Sequence, residues 1–393
     1  MKPRPAVALL IETSNAYARG LLKGVVGYVR EHRPWSIHLP EQGRGDSPPE
    51  WLVRWRGDGI IARIENAAIA RAVVKAGLPV VDVSAARLVP GVAWVETDDR
   101  AIARLAGEHL WQRGFRRLAF CGDSTFNWSN WRRDHFLAFA AERGCACHVF
   151  DAAPPPGRRE SRDRQQRRLA DWVRRLPKPL GVMACYDIRA QQLLDVCREI
   201  DVAVPEDVAV IGVDNDELLC DLSTPPLTSV IPNTFRTGYE AAALLDRLLA
   251  GEPVAPEPHL IEPTGIEVRQ STDVLAMEDR EVAAAVRFIR EHACDGINVA
   301  DVLKAVPLSR RVLESRFRAR LGRTPHEEIV RLKLERVKQL LAETELSIAA
   351  VAERAGFEHA EYLSAAFKQH VGRSPSAYRR RQRASGPRKP GDD

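Results

Sequence analysis

The fold of this chain is decided by segments such as residues 207–216, DVAVIGVDND, where an apolar β-branched run is followed at once by acid and amide side chains. Similar apolar runs stand at residues 7–11, 117–122 and 181–185, and amphipathic helical patterns separate them. A continuous apolar strand is typical of a parallel sheet that is covered on both faces. Strands that alternate with helices therefore predict an α/β fold for the first two thirds of the chain.

The polar residues that follow these strands are the first candidates for a binding site. In open parallel sheets, ligands bind beyond the carboxyl ends of the strands. Acid, amide and guanidinium groups with interleaved aromatic rings suit a polyhydroxylated ligand, because they bond its hydroxyls and cover its ring. The candidate ligand-binding residues are Asn15, Tyr17, Asp123, Trp128, Arg132, Asp187, Asp214 and Asn215.

Two other interpretations of these residues stay open. A single acid after a strand caps a helix more often than it binds a ligand. Several acids at strand ends could instead hold Mg²⁺ for phosphoryl chemistry, which would make the protein an enzyme. Neither GxGxxG nor GxxxxGK[ST] follows any strand, which argues against a dinucleotide or a nucleoside triphosphate, and a GxSxG elbow is absent too.

Cysteine usage and hydropathy indicate the compartment. Seven cysteines, an odd number at scattered positions, form no CxxC and no paired framework, which suits a reducing compartment. The cluster Cys145-x-Cys147-His148 lacks a second ligand pair at zinc spacing, so we expect no metal and no cofactor. The sequence has no run of 18 apolar residues and no signal-peptide pattern. We therefore expect a cytoplasmic protein that does not enter membranes.

The last part of the chain differs from the rest in charge. Residues 281–393 hold 22 Lys and Arg against 15 Asp and Glu, a net charge of +7, whereas residues 1–280 carry −2. A basic segment on a nearly neutral body favours nucleic acid as its partner, although a solvated basic face fits equally well.

Helical periodicity in this basic part predicts an all-α domain with two successive helix-turn-helix layouts. Leu313, Phe317 and Leu321 form the apolar stripe of the third helix, and Leu363 and Phe367 form the stripe of its counterpart in the second layout. These stripes fix which side chains face outward. Periodicity alone favours packing or protein contact over DNA binding.

Several runs in the first two thirds resemble the effector domain of LacI-type regulators. These runs are Val95-Glu96-Thr97-Asp98-Asp99, VIGVDND at 210–216, PPLTSV at 225–230, and the segment 260–272. The resemblance implies a periplasmic-binding-protein fold, with two α/β subdomains joined by three crossovers and a sugar or purine in the cleft. It further implies that Asn15, Arg132, Asp187 and Asp214 line that cleft.

The second helix-turn-helix layout closely resembles the signature of AraC-type transcription factors. The matching residues are Ile348-Ala349-Ala350-Val351-Ala352, Ala355-Gly356-Phe357, Tyr362-Leu363, Phe367-Lys368, Gly372, Ser374-Pro375 and Tyr378-Arg379. The first layout departs from the family pattern at Leu303 and Pro307. AraC-type domains place two recognition helices in successive major grooves. The DNA-binding residues implied are Arg311, Glu314, Ser315 and Arg318 in the first layout, and His359, Ala360, Glu361, Ser364, Ala365, Lys368 and Arg373 in the second.

The order of the two parts resembles the bacterial xylose-responsive activators of the AraC type. This implies D-xylose as effector, a homodimer on paired DNA half-sites, RNA polymerase as a partner, and activation of pentose catabolic genes. A regulator of another sugar or a purine, or a Mg²⁺-dependent enzyme, stays as the alternative. The predicted divisions are an effector domain at residues 1–273, a linker at 274–280, a DNA-binding domain at 281–385, and a basic, disordered tail at 386–393.

Overall fold

The computed structural model describes residues 4–41, 43, 46–154, 160–254, 258–273, 279–344 and 346–385. The chain divides into two compact units, Met1–Ala276 and Met277–Asp393. The predicted tail, and residues 274–278 of the predicted linker, lie outside the described residues. None of the helices within the described ranges is long and apolar enough to cross a membrane.

The first unit contains two six-stranded sheets with helices on their faces. Its strands are β1 (Ala6–Leu10), β2 (Ser36–His38), β3 (Gly59–Ala62), β4 (Val80–Asp82), β5 (Ala93–Thr97), β6 (Leu118–Gly122), β7 (Cys147–Asp151), β8 (Leu180–Ala184), β9 (Val208–Val213), β10 (Thr228–Ile231), β11 (Pro258–Ile261) and β12 (Gly265–Glu267). Its helices are α1 (Ala16–Glu31), α2 (Ala67–Ala76), α3 (Asp99–Gln112), α4 (Asn127–Glu142), α5 (Arg162–Arg175), α6 (Asp187–Glu199), α7 (Glu217–Leu222) and α8 (Thr234–Leu249).

Each sheet is the core of one lobe. The first lobe has the strand order β11-β5-β4-β3-β1-β2, and all of its pairings are parallel. The second lobe has the order β12-β10-β9-β8-β6-β7, in which only β12 is antiparallel to its neighbour. The central strands are buried along their whole length, as the continuous apolar runs indicate. The predicted α/β class is confirmed.

The chain crosses between the lobes three times, from β5 into α3, from β10 into α8, and from β11 into β12. The three crossovers implied by the LacI-type resemblance are therefore present. They direct the carboxyl ends of strands from both sheets toward one shared cleft, where parallel sheets bind their ligands.

The sequence pattern does not predict helices α7 and α8, and it predicts α4 only over residues 132–143. Helix α8 is missing from the predicted elements, although it packs tightly on α1: a Cβ atom at Gly24 would lie 2.0 Å from the Phe235 carbonyl oxygen. Helix α4 begins at Asn127, five residues before its predicted start. The buried side chains of its first turns include Trp128 and Arg132. They do not form the repeat of aliphatic residues from which a helix is predicted.

The second unit is helical throughout its described residues. Its helices are α9 (Arg280–His292), α10 (Val299–Ala305), α11 (Arg310–Leu321), α12 (Pro325–Glu343), α13 (Ile348–Arg354), α14 (Ala360–Val371) and α15 (Pro375–Ser385). The predicted stripes are confirmed for Leu313, Phe317, Leu363 and Phe367, which are fully buried, while Leu321 is half-buried. Two helix-turn-helix layouts result, α10 with α11 and α13 with α14, and α12 connects them.

Candidate functional site

A cleft lies between the two lobes at the carboxyl ends of their strands. Its empty space is about 620 Å³ with the solvent at its mouth included. The polar and aromatic lining consists of Asn15, Tyr17, Arg63, Glu96, Thr97, Trp128, Arg132, Tyr186, Asp187, Asp214 and Asp216. Ala16, Val83, Ile188 and Leu219 complete the lining.

Six of the eight predicted ligand-binding residues lie in this lining: Asn15, Tyr17, Trp128, Arg132, Asp187 and Asp214. Asn15 is also the N-cap of α1, because its Oδ1 accepts a hydrogen bond from the Ala18 amide at 2.8 Å. Capping and ligand binding, which the sequence poses as alternatives, are therefore compatible at this position.

The structure does not place the other two, Asp123 and Asn215, in the lining. The Asp123 carboxylate turns back into its own loop, where Oδ1 accepts from the Thr125 amide and hydroxyl at 3.1 and 2.5 Å. The Asn215 side chain accepts from Arg269 Nη1 at 2.9 Å. The Asp123 side chain therefore stabilises its own turn, and the Asn215 side chain binds the segment that carries Arg269.

The cleft also contains polar residues that the sequence argument misses, chiefly Arg63, Glu96, Thr97 and Tyr186. Arg63 follows β3 and Tyr186 follows β8, so the rule that selects residues after strands could have found both. Glu96 and Thr97 lie inside β5, within the run quoted for the LacI-type resemblance. The sequence pattern predicts that this strand ends at Val95, so the same rule could have found them as well.

Both arginines of the cleft are already paired with carboxylates. Arg63 donates from Nη1 to Glu12 and from Nη2 to Glu65, the latter at 2.5 Å. Arg132 donates from Nε to Asp99 Oδ1 at 2.7 Å and from Nη1 to the Cys185 carbonyl oxygen at 2.6 Å. The four bonds fix the planes of two buried guanidinium groups at the cleft wall.

Asp187 is the acid most tightly held by the protein. Its Oδ1 accepts from the Ser229 hydroxyl at 2.6 Å, and its Oδ2 accepts from the Asp216 amide at 2.8 Å and from the Cys220 thiol at 3.5 Å. Burial, followed by the nearby Asp214 charge, raises the pKa of Asp187 to about 8. This acid supports the loop that carries Asp214 and Asp216 while it lines the cleft.

Two of the three aromatic rings in the lining, Tyr17 from the first lobe and Trp128 from the second, supply flat surfaces. The Tyr17 hydroxyl lies 3.4 Å from Thr97 Oγ1, and the Arg63 guanidinium lies 5.2 Å from its ring centroid. Trp128 stacks on Phe126 at 5.1 Å between ring centroids. Acids, amides and rings thus converge from both lobes on one cavity.

The metal interpretation finds no support in the geometry. Within the described ranges, no group of three His, Cys, Asp or Glu side chains is placed to hold a metal ion.

In the second unit, α11 presents the predicted outward stripe. Arg311, Ser315 and Arg318 are exposed and Glu314 is half-buried, and together they line a shallow groove. Arg310 Nε donates to Glu314 Oε1 at 2.9 Å, an ion pair within the helix. A DNA base that bonds Glu314 must therefore compete with Arg310.

The corresponding face of α14 is partly packed. Of the predicted residues, His359, Glu361, Ala365, Lys368 and Arg373 are exposed, whereas Ala360 and Ser364 are half-buried. Ala360 packs against the helical core. The sequence-based list omits Tyr362, whose side chain is 56% exposed on the same helix.

Three family models match the chain in order along its length. They are the XylR N-terminal domain at residues 6–100, the periplasmic binding protein-like domain at 107–272 and the helix-turn-helix domain at 302–381. The xylose operon regulatory protein of Escherichia coli K12 is 36% identical over 389 residues, which cover 96% of this chain and 97% of that protein. This chain belongs to the xylose operon regulatory protein family.

Other members and neighbours agree with this assignment. The xylose operon regulatory protein of Haemophilus influenzae is 30% identical over 95% of this chain and 97% of its own length. The solved structure of the xylose-binding transcription activator XylR has a TM-score of 0.82 at 35% identity and covers 96% of this chain and 98% of that one. A LacI-type regulator from Enterococcus faecium with bound ribose, at 22% identity and a TM-score of 0.55, covers 69% of this chain and shares the fold.

Membership of the xylose operon regulatory protein family decides between the functional classes left open by the sequence. The chain is a transcriptional regulator that binds DNA through its helix-turn-helix domain. The Mg²⁺-dependent enzyme is therefore no longer a candidate.

Proposed function

We propose that this regulator binds D-xylose in the cleft and activates pentose catabolic genes in response. The observation that carries the proposal is the convergence of hydrogen-bonding groups and two aromatic rings from both lobes on one cavity. Because both cleft arginines are paired with carboxylates, the lining suits an uncharged polyol better than an anion. The relative of known structure is described as xylose-binding.

The proposed ligand contacts follow from the lining. Asn15, Arg132 and Asp214 bond the sugar hydroxyls, while Tyr17 and Trp128 cover the apolar faces of the ring. Arg63 and Tyr186 extend the polar contacts. Asp187 acts mainly by holding the loop with Asp214, since its oxygens already accept three bonds from the protein.

The proposed output is promoter activation in the cytoplasm by a homodimer that contacts RNA polymerase. A ligand shifts the protein toward the conformation that it binds better. If D-xylose prefers the closed cleft, closure must reposition the two DNA-binding units of the dimer on their half-sites.

On DNA, the exposed face of each recognition helix enters a major groove. Arg311 pairs with guanine, and Glu314 or Glu361 accepts from a cytosine amino group. Ser315, His359, Ser364, and the methyl groups of Ala360 and Ala365, contact neighbouring base edges. Arg318, Lys368 and Arg373 bind phosphates, which position the protein without reading sequence.

A thermal-shift panel of pentoses, hexoses and nucleosides on the full chain tests the effector, because a ligand that binds the folded state raises its melting midpoint. We expect D-xylose to give the largest shift. Asp214→Asn should lose roughly 1.5 to 3 kcal/mol of binding free energy, the value of a hydrogen bond to a charged group. Asp123→Asn is the matched control, because this acid lies outside the lining. An equal loss in both variants would contradict the proposed site.

A further inference from the structure

Glu96 occupies an unusual position in the cleft. It lies near the end of β5, where the chain leaves the first lobe and crosses into α3 of the second. Its side chain is 4% exposed, yet it belongs to the cleft lining. Among the described residues, its buried Oε2 atom has no hydrogen-bond partner. A buried carboxyl oxygen without a partner at the wall of a ligand cavity is costly unless a ligand satisfies it.

Other acids surround Glu96. Asp99, three residues further along the crossover, and Asp82 of β4 both act on it as negative charges. Asp99 Oδ1 accepts from Arg132, while Asp99 Oδ2 likewise has no hydrogen-bond partner in the described part of the chain. The Glu96 charge also acts on Tyr17, at the start of α1. Three acids thus share a region that water scarcely enters.

The cations nearby are already engaged. Arg132 is bonded to Asp99. The Arg87 guanidinium lies flat between two tryptophan rings, 3.7 Å from the Trp94 centroid in the first lobe and 4.0 Å from the Trp131 centroid in the second. Two engaged cations do not compensate three buried carboxylates, so one acid is expected to keep its proton.

We propose that Glu96 meets the ligand as a neutral carboxylic acid and donates a hydrogen bond from Oε2 to a sugar oxygen. Ligand binding then requires one proton on the protein. This inference rests on the proposed function, because the acceptor is an oxygen of the bound sugar. It assigns Glu96 a role in specificity, since a neutral acid donates to an oxygen acceptor at a point where a carboxylate would only accept.

The electrostatics supports this assignment. Burial, and then the Asp99 charge, raise the pKa of Glu96 well above its usual range. The dissociation constant for the sugar should therefore be constant at low pH and rise up to tenfold per pH unit once Glu96 loses its proton. Burial also raises the pKa of Asp82 to about 7 and that of Asp187 to about 8, so a variant is needed to separate Glu96 from these acids.

Calorimetric titration of the full chain with D-xylose from about pH 6 to about pH 9.5 tests the proposal. Glu96→Gln keeps a donor at this position and cannot ionise. It should bind with an affinity within about threefold of wild type at low pH and lose much less affinity as the pH rises. Glu206→Gln removes a buried carboxyl at the opposite end of the second sheet, before β9, and should keep the wild-type profile.

A second variant shifts the pH at which sugar affinity is lost and leaves the hydrogen-bond donor at Glu96 unchanged. Asp99→Asn removes a negative charge beside Glu96, which lowers the pKa of Glu96 and should shift the loss of affinity to lower pH. A wild-type profile that is flat over this range would overturn the proposal, even if Glu96→Gln failed to fold. So would a Glu96→Gln profile identical to the wild-type one. Both results would leave D-xylose as the effector, whereas a chain that binds no sugar at any pH would refute the proposed function itself.

Discussion

Replacing Arg132 by alanine should destabilise the effector unit as well as remove a ligand contact. Arg132 is 3% exposed and holds Asp99 Oδ1 at 2.7 Å and the Cys185 carbonyl oxygen at 2.6 Å. Its removal leaves a buried carboxylate without its bonded cation and a buried carbonyl oxygen without its donor. Breaking one partner of a buried ion pair costs about 3 to 5 kcal/mol, because the other charge is left uncompensated.

Protonation of Asp99 limits the size of this effect. The ordinary pKa of an aspartate is 3.8, so protonating it at pH 7 costs about 4 kcal/mol at 1.36 kcal/mol per unit. The unpaired Cys185 carbonyl oxygen adds roughly 1 to 3 kcal/mol. We therefore expect Arg132→Ala to lower the unfolding free energy of this unit by about 4 to 7 kcal/mol at pH 7. Burial already raises the pKa of Asp99, and removal of Arg132 raises it further, so the loss should be smaller at pH 6 than at pH 7.

Urea unfolding of the effector unit at both pH values measures the loss. Arg133→Ala is the matched control, because this neighbouring arginine is partly exposed and should cost less than about 1 kcal/mol. The double change Arg132→Ala with Asp99→Asn should recover at least about 2 kcal/mol, since no charge is then stranded. A loss below about 1 kcal/mol, or one that does not vary with pH, would refute the reasoning. Loss of sugar binding in Arg132→Ala alone would not establish a ligand contact.

Three further changes test other parts of the molecule. Trp131→Leu removes the second-lobe ring that Arg87 contacts. Sugar binding, measured by calorimetry, should weaken about two- to fivefold. An unchanged affinity would show that this contact between the lobes does not stabilise the ligand-bound cleft. Arg311→Ala should cost about 1 to 3 kcal/mol and relax one base preference in selection on randomised half-sites, whereas Lys368→Ala should weaken all sequences alike and lower the salt slope by about one. Glu328 is buried, and although burial raises its pKa, the arginines that it binds hold it below the usual range. Its stabilisation is present at neutral pH and lost as the pH falls, so the melting difference between wild type and Glu328→Gln, followed by circular dichroism, should vanish in acid.

The sequence by itself determined the class of both units. Buried parallel strands must be apolar along their length, so runs such as the one ending at Val213 identify the α/β part without any tertiary information. The four-residue spacing of Leu313 with Phe317, and of Leu363 with Phe367, likewise fixes which face of each recognition helix is buried. These are properties of one element at a time.

The composition of the cleft depended on tertiary structure, because it is set by the direction in which each loop turns. Asp214 and Asn215 are adjacent, but both have positive φ values, 112° and 48°. The turn directs Asp214 into the cleft and Asn215 toward Arg269. No spacing rule distinguishes two neighbouring polar residues in such a loop, since the left-handed backbone decides their directions.

Glu96 is the clearest case of a residue that only the folded chain could assign. In the sequence it is one acid in the run Val95-Glu96-Thr97-Asp98-Asp99, and the predicted ligand-binding residues do not include it. In the structure, the crossover from β5 to α3 brings it beside Asp99 and Arg132 at the wall of the cavity. Asp99 is close to it in sequence, but Asp82, Arg87 and Arg132 act on it from other segments of the folded chain, and together with burial they determine its chemistry.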